Sequence, residues 1–170
     1  MSEPTTPHTT ASCSCGSVEL EATGDPIMST VCYCESCQEG SRQLEALPNG
    51  RPVCDSDGGT ACVLYRKDRV EYSKGSQLLQ GYKLRAESST NRVVASCCNS
   101  PMFLNFEKGH WLTLYRTALQ GDLPPLEMRV QTESRPAGGD LPNDVPSYPG
   151  YGFKFMAKLF AARIAMLLRR

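Results

Sequence analysis

The sequence predicts a mainly β protein that ends in one amphipathic helix. Short stretches of alternating apolar and polar residues, which are typical of strands, recur along the chain. They are separated by many of its 12 Pro and 14 Gly residues. Residues 153–170 differ, because they contain no Pro or Gly and are rich in helix-forming residues. A chain of 170 residues is long enough to bury the core of one domain.

The predicted strands are short and are joined by turns. They are expected at residues 17–22, 61–65, 70–73, 78–85, 92–96, 102–106, 111–117 and 126–130. Lys108 and Gly109 are predicted to close a hairpin, with His110 as a further turn residue. One or two helical turns are expected within residues 41–47.

Large apolar residues recur at spacings of three and four in the C-terminal segment, as an amphipathic helix requires. These residues are Met156, Leu159, Phe160, Ile164, Leu167 and Leu168. Arg163 falls within that stripe and weakens the pattern. The favoured interpretation is a helix packed on its own domain or on the second copy of a homo-oligomer. Contact with a membrane surface and binding of a partner protein are the alternatives.

Composition excludes several classes of protein. The 18 basic and 18 acidic residues cancel, so no nucleic-acid partner is expected. No run approaches the roughly 18 apolar residues of a transmembrane segment, and residues 1–12 lack the apolar core of a secretory signal. We therefore expect no transmembrane segment and a cytoplasmic location. No Ser-His-Asp arrangement, phosphate-binding Gly loop or dinucleotide motif is present.

The nine cysteines are the most informative residues of the chain. An odd number cannot all pair within one chain, and a reducing cytosol keeps most thiols free. Clustered free thiols are reactive, and metal ligation is the simplest reason for keeping them. Three close groups appear: the pair Cys13 and Cys15, the triple Cys32, Cys34 and Cys37, and the adjacent pair Cys97 and Cys98.

The triple gives the strongest signal. Three cysteines within six residues are hard to explain by packing, and thiolate is a ligand that zinc prefers. Metal ligation is favoured there over a redox dithiol or a purely structural role. The pair Cys13 and Cys15 is a weaker signal alone, because two cysteines can simply flank a turn. Cys54 and Cys62 have no such partners and are expected to be small apolar residues.

Composition and motifs together divide the chain into four segments. A disordered lead is expected at residues 1–11, a zinc-binding β domain at 12–134, an irregular segment rich in Pro and Gly at 135–152, and the C-terminal helix at 153–170.

In order and spacing, the cysteine groups resemble the glutathione-dependent formaldehyde-activating enzyme family, which includes centromere protein V-like proteins. The family's Cys-x-Cys-Gly motif is matched at residues 13–16, and its Cys-x-Cys-x-x-Cys motif at residues 32–37. The second half of its Cys-x-x-Cys-Gly-Ser-Pro motif is matched at residues 98–101, before an apolar strand. The resemblance covers residues 12–117.

The resemblance implies a β-tent fold, in which small antiparallel sheets are clamped by one or two zinc ions per chain. It implies a structural zinc site that includes Cys13, Cys15 and Cys98. It also implies a second site, in which Cys32, Cys34 and Cys37 bind zinc, leave one coordination position open and form the expected site of chemistry. The implied activity is that of a zinc-dependent carbon–sulfur lyase acting on the formaldehyde adduct of a small thiol such as glutathione. The alternatives are a non-catalytic zinc-stabilised binding module and a thiol-based redox sensor.

One departure from the family pattern concerns the third group. Ala95 stands where the first cysteine of the motif belongs, and Cys97 lies next to Cys98 instead. Neighbouring residues of a strand point to opposite faces, so three outcomes are open. Cys97 completes the first site through a bend, or turns toward the triple as its fourth ligand, or the first site is incomplete. Asn99 replaces the motif's glycine, and Asn tolerates the left-handed conformation better than most residues.

A thiolate bound at the triple carries negative charge, which a basic side chain nearby would stabilise. Arg42 follows the triple, and Arg85 and Arg92 flank the middle loop of the chain. For each of the three, a surface position is the expectation.

Overall fold

The computed structural model describes residues 7–136 and 138–168. It confirms the predicted fold class, because these residues form eleven strands in two sheets and end in a C-terminal helix. The four-stranded sheet contains β1 (His8–Ser12), β2 (Glu19–Thr23), β5 (Val70–Lys74) and β10 (Leu119–Gln120). Its strand order is β10-β1-β2-β5.

The second sheet has seven strands and carries both helices. Its strands are β3 (Met28–Cys32), β4 (Thr60–Arg66), β6 (Leu79–Tyr82), β7 (Thr90–Ala95), β8 (Ser100–Phe106), β9 (Trp111–Tyr115) and β11 (Met128–Val130). The order is β11-β3-β4-β9-β8-β7-β6, with β11 parallel to β3 and the other pairs antiparallel. The helices are α1 (Glu35–Glu45) and α2 (Phe153–Leu167).

The two sheets share one buried core. Along β2 the burial alternates, with Leu20 and Ala22 buried between half-buried neighbours. These two side chains join Val63 of β4 and Leu114 of β9 in a single apolar cluster. Full burial of a leucine-sized side chain contributes about 1.5–3 kcal/mol, so this cluster is a main source of cohesion between the sheets.

Helix α1 begins earlier than the helical turns predicted within residues 41–47. Cys34 is its N-cap residue, and the Cys34 sulfur accepts a hydrogen bond of 3.4 Å from the backbone N–H of Cys37. Glu35 in the first turn complements the positive end of the helix dipole. The early start was missed because cysteine is not among the usual N-cap residues.

Helix α2 packs on the seven-stranded sheet, but not through the whole predicted stripe. Phe155 and Leu159 are buried against Leu64 and Val130. The other five residues of the predicted stripe are exposed, and Phe160 is 68% exposed. The helix is anchored at one edge, where Lys158 forms an ion pair with Glu127. The apolar face of α2 is therefore wider than the part of it that the rest of the domain buries.

Two further observations bear on the ends of the chain. Residues 8–12 form strand β1, with Ala11 buried, where the sequence predicts a disordered lead over residues 1–11. The strand forms because its inward side chains complete the core of the four-stranded sheet, while residues 1–6 lie outside the described part.

Neither helix of the described residues has the length and apolar character that a membrane-spanning helix requires.

A glycine on α1 allows close approach to Arg92. A Cβ atom at Gly40 would lie 1.8 Å from Arg92 Nε. We expect Gly40→Ala to lower the free energy of unfolding by about 1–3 kcal/mol, although alanine has the higher helix propensity. Gly138→Ala is the matched control, since its Cβ would meet no atom within 4 Å. Urea unfolding measures both, and a Gly40→Ala variant as stable as wild type would contradict this packing.

Candidate metal centres

Four cysteines from two distant segments form the first group. Cys13 and Cys15 follow β1, whereas Cys97 and Cys98 lie in the turn between β7 and β8. Their four Sγ atoms all lie within 4.8 Å of one another. Cys13 Sγ is 3.6 Å from Cys15 Sγ and 3.8 Å from Cys97 Sγ. Cys97 Sγ is 3.4 Å from Cys15 Sγ and 3.9 Å from Cys98 Sγ.

Two turns with left-handed residues bring these sulfurs together. Gly16 has φ 71°, and its N–H donates to the Cys13 carbonyl over 2.9 Å. In the second turn, Asn99 adopts φ 54°, and the N–H of Cys98 donates to the Ala95 carbonyl over 3.2 Å. The chain therefore bends directly after β7. Of the three outcomes left open by the sequence, the bend is the one observed, because it places both adjacent cysteines beside the first pair.

The sulfur spacing of this group fits a tetrahedral ion. With Zn–S bonds of about 2.3 Å, the edges of a regular tetrahedron are about 3.8 Å. The four measured Sγ–Sγ separations run from 3.4 to 3.9 Å. A disulfide bond, in contrast, is about 2.05 Å long, and all these cysteines are free. The first group could therefore hold one metal ion with four thiolate ligands.

Hydrogen bonds from serine hydroxyl groups lower the pKa values of two cysteines in the first group. Burial is the largest single effect on Cys98 and opposes its ionisation, but hydrogen bonds from Ser100, from Ser14 and from backbone N–H groups together outweigh burial and lower the pKa of Cys98 to about 5. The Ser17 hydroxyl lowers the pKa of Cys15. Loss of solvation and the hydrogen bond to Cys15 raise the pKa of Cys97 to about 12. Without a metal, the group therefore holds a mixture of thiols and thiolates.

The triple forms the second group at the junction of β3 and α1. Cys32 is the last residue of β3, Cys34 is the N-cap of α1 and Cys37 lies in its first turn. The three Sγ atoms lie within 4.8 Å of one another, and no fourth Cys, His, Asp or Glu among the described residues joins them. Cys54 and Cys62 lie outside both groups. The triple could hold a metal ion with one coordination position left for another ligand.

The thiols of the triple share their protons unequally. Hydrogen bonds from Cys32 and then Cys37 hold the pKa of Cys34 far below its usual range. The hydrogen bond with Cys34 raises the pKa of Cys32, and the one with Cys32 raises the pKa of Cys37. In the absence of a metal, one thiolate is therefore shared between two protonated neighbours.

Arg92 is buried beside the triple, so the expectation of a surface position is wrong for this residue. Only 2% of Arg92 is exposed, and its Nη2 donates to the Ser36 carbonyl over 2.6 Å and to the Ser36 hydroxyl over 2.8 Å. Its charge helps to lower the pKa of Cys34. Arg42, in contrast, lies on the surface in an ion pair of 2.6 Å with Glu39.

A cavity of about 400 Å³ opens on the triple and is walled in part by the C-terminal segment. Tyr151 lies close enough to the triple that burial, followed by the charges of the cysteines, raises the pKa of its hydroxyl. Phe155 and Leu159 also line the cavity. His110 supports this wall, because its Nε2–H donates to the Leu159 carbonyl over 2.9 Å. Sequence reasoning missed the place of these residues at the cavity, since no local pattern links them to cysteines more than seventy positions earlier.

The fold and the two cysteine groups define a mainly β protein with two centres that could hold metal. Residues 8–47 match the family described as glutathione-dependent formaldehyde-activating enzyme. That segment contains the first pair and the triple, and the match confirms the resemblance to this family that the cysteine motifs predicted.

Other comparisons are more distant. No curated protein sequence matches the chain. A crystal structure of a Rhodobacter sphaeroides protein is similar at 15% sequence identity and a TM-score of 0.48, over 81% of this chain and 98% of that one. A likeness at this level supports no conclusion about function.

The raised pKa values of Cys32 and Cys37 make metal binding at the triple dependent on pH. A zinc ion that binds there has to displace the protons of these two thiols. Its affinity should therefore fall as the pH falls, by about a hundredfold per pH unit near neutrality if two protons leave. Calorimetric zinc titrations in buffers of different ionisation enthalpy count the protons released. Zinc affinity that does not change with pH would contradict thiol ligation.

Proposed function

We propose that this protein binds zinc at both cysteine groups. The proposal is supported by the sulfur spacing of the first group, by the preference of zinc for thiolate ligands and by the match of residues 8–47 to a formaldehyde-activating enzyme family. Clustered free thiols persist only in a reducing compartment, so a cytoplasmic location belongs to the same proposal.

The first group is proposed as a structural site. Its four cysteines fill all positions of a tetrahedral ion, which leaves no place for a substrate. It joins the loop after β1 in one sheet to the turn after β7 in the other. Zinc here would therefore fasten the two sheets to each other, and its binding energy would add to the stability of the fold.

The second group is proposed as the site of chemistry. The observation that carries this proposal is a cluster of three cysteines, without a fourth protein ligand in the described residues, that opens on a cavity of about 400 Å³. When bound, zinc supplies a Lewis acid that lowers the pKa of a substrate thiol in the open position. The reaction class is formation or cleavage of the carbon–sulfur bond in a thiol–aldehyde adduct. The family match makes glutathione and formaldehyde the first pair to test.

Arg92 supplies a positive charge beside the triple. Three thiolates around a divalent cation leave a net negative charge, and a substrate thiolate adds to it. In a cavity of low polarity, such charge is costly unless a cation lies nearby. Buried Arg92, which lies beside the triple, supplies that cation and favours the ionised form of the bound thiol.

A second candidate function is a non-catalytic, zinc-stabilised binding module. The exposed apolar side of α2 favours it: Phe153 is 89% exposed and Phe160 is 68% exposed. Apolar surface of this kind often marks a contact with another molecule. In such a module, the open position of the triple would remain without a substrate, and added thiols would not change zinc retention.

Metal content tests the ligand assignment directly. We expect about two zinc ions per chain in protein purified anaerobically, because each group holds one tetrahedral ion. Cys34→Ser and Cys97→Ser should each reduce this number by about one. Cys54→Ser is the matched control, since Cys54 lies outside both groups, and it should retain both ions. Elemental analysis by mass spectrometry gives the count; unchanged zinc in Cys34→Ser would remove the triple from the proposal.

Adduct formation tests the chemistry. Wild-type protein should accelerate the combination of glutathione with formaldehyde above the spontaneous rate, as measured by NMR exchange spectroscopy. Cys34→Ser should return the rate to the spontaneous value, because the thiol loses its site, whereas Cys54→Ser should behave as wild type. If wild-type protein gives no acceleration, this substrate pair is wrong, although the zinc sites would still stand.

A further inference from the structure

The cavity beside the triple has a mostly apolar lining. Its volume of about 400 Å³ is in the usual range for small-molecule sites, roughly 300–1,000 Å³. Most of its walls are apolar or aromatic: Leu104, Phe106, Trp111, Tyr151, Phe155 and Leu159. Two of these residues belong to β8, one to β9, and three to the C-terminal segment. Both the seven-stranded sheet and the C-terminal segment therefore supply apolar surface to the cavity.

Charged groups in this lining are few. Apart from the cysteines, Arg92 is the one charged side chain among the described residues that border the cavity. Glutathione carries two carboxylates and an ammonium group, so Arg92 could pair with one carboxylate and the other two charges would be without partners. Burying an unpaired charge is costly. The lining thus disfavours glutathione and favours a thiol with an apolar body.

Arg92 also has an unused donor. Its Nη2 is committed to Ser36, but its Nη1 is buried and has no hydrogen-bond partner among the described residues. A buried donor without an acceptor costs about 1–3 kcal/mol, which a ligand oxygen would relieve. In a thiol–aldehyde adduct, the oxygen is bound to the carbon next to sulfur. A ligand whose sulfur is at the triple would therefore carry its oxygen close to Arg92.

We propose that the cavity binds a compact thiol with an apolar body more tightly than glutathione, and that Arg92 Nη1 donates to the oxygen of its aldehyde adduct. This inference rests on the proposed function, because it assumes that a thiol occupies the open position. In the forward direction, the thiolate electron pair forms the carbon–sulfur bond and the carbonyl π pair moves to oxygen. The proton lost by the thiol returns to that oxygen through solvent, so no oxidant or reductant is needed.

The chain contains a built-in reporter for ligand binding. Trp111 is its single tryptophan and lines the cavity, so its fluorescence should respond to an occupant. Zinc-loaded protein is titrated with 2-phenylethanethiol, with glutathione and with 2-phenylethanol, which lacks the sulfur. We expect 2-phenylethanethiol to bind about tenfold or more tightly than glutathione, and 2-phenylethanol to bind weakly.

The outcomes of this titration distinguish an error in the ligand class from an error in the thiol site itself. Tighter binding of glutathione would overturn the apolar ligand class while leaving a thiol site in place. Equal binding of 2-phenylethanol and 2-phenylethanethiol would overturn the thiol site itself, and with it the proposed function. Zinc content of the same samples, measured in parallel, shows whether the metal centre was intact.

Variants of Arg92 test the contact with oxygen. Arg92→Gln removes the buried charge that favours the bound thiolate as well as the Nη1 donor. It should weaken the binding of 2-phenylethanethiol by about tenfold and slow the combination of the bound thiol with formaldehyde by a further factor of about a hundred. Arg42→Gln is the matched control, because Arg42 lies on the surface, and it should change neither quantity. An unchanged rate, or equal losses of affinity and rate, would overturn the assigned contact.

A more conservative variant keeps the contact testable if Arg92→Gln does not fold. If Arg92→Gln fails to retain zinc, Arg92→Lys keeps the positive charge but lacks the forked donors that serve Ser36 and the ligand together. Thiol affinity should then be retained and the rate of adduct formation lowered by about tenfold. A fully active Arg92→Lys variant would contradict a specific donor at Nη1.

Discussion

The convergence of sulfur atoms from distant parts of the chain is the constraint on which the structure depends. Cys13 and Cys97 are 84 residues apart, yet their sulfurs are separated by 3.8 Å. Thiolates held this close repel one another unless a proton or a metal cation lies between them. Structural zinc contributes an apparent binding energy of about 10–16 kcal/mol in small domains. An ion at this centre would therefore convert a source of repulsion into a clamp between two sheets.

Zinc ions at the two cysteine groups would serve two purposes, and the local backbone decides which. Two turns face each other at the first group and bring four sulfurs together, enough for a complete tetrahedral coordination sphere. The second group is built from a strand end and a helix start, which supply three sulfurs. There Cys34 also caps α1, so loss of the thiolate would weaken the helix start as well as the metal centre. The structural role proposed for the first group and the reactive role proposed for the second follow from this difference.

The sequence predicted the mainly β fold, the C-terminal helix and all seven cysteines of the two groups. It left the place of Cys97 open, because alternation along a strand and a bend after Ala95 predict opposite orientations. It assigned Arg92 to the surface, since an arginine carries no local sign of burial. The wall formed by Tyr151 and Phe155 depends on how a segment remote in sequence folds back, and no periodicity encodes that contact. These are long-range packing results, whereas metal motifs are local and can be recognised directly.

X-ray absorption at the zinc edge of anaerobically purified protein tests the central claim most directly. The account predicts a first shell dominated by sulfur at about 2.3 Å. The average should lie between three and four sulfurs per zinc, and approach four when a thiol is added. A protein that contains no zinc and holds its cysteines as disulfides would contradict the account. So would a first shell made mainly of nitrogen and oxygen.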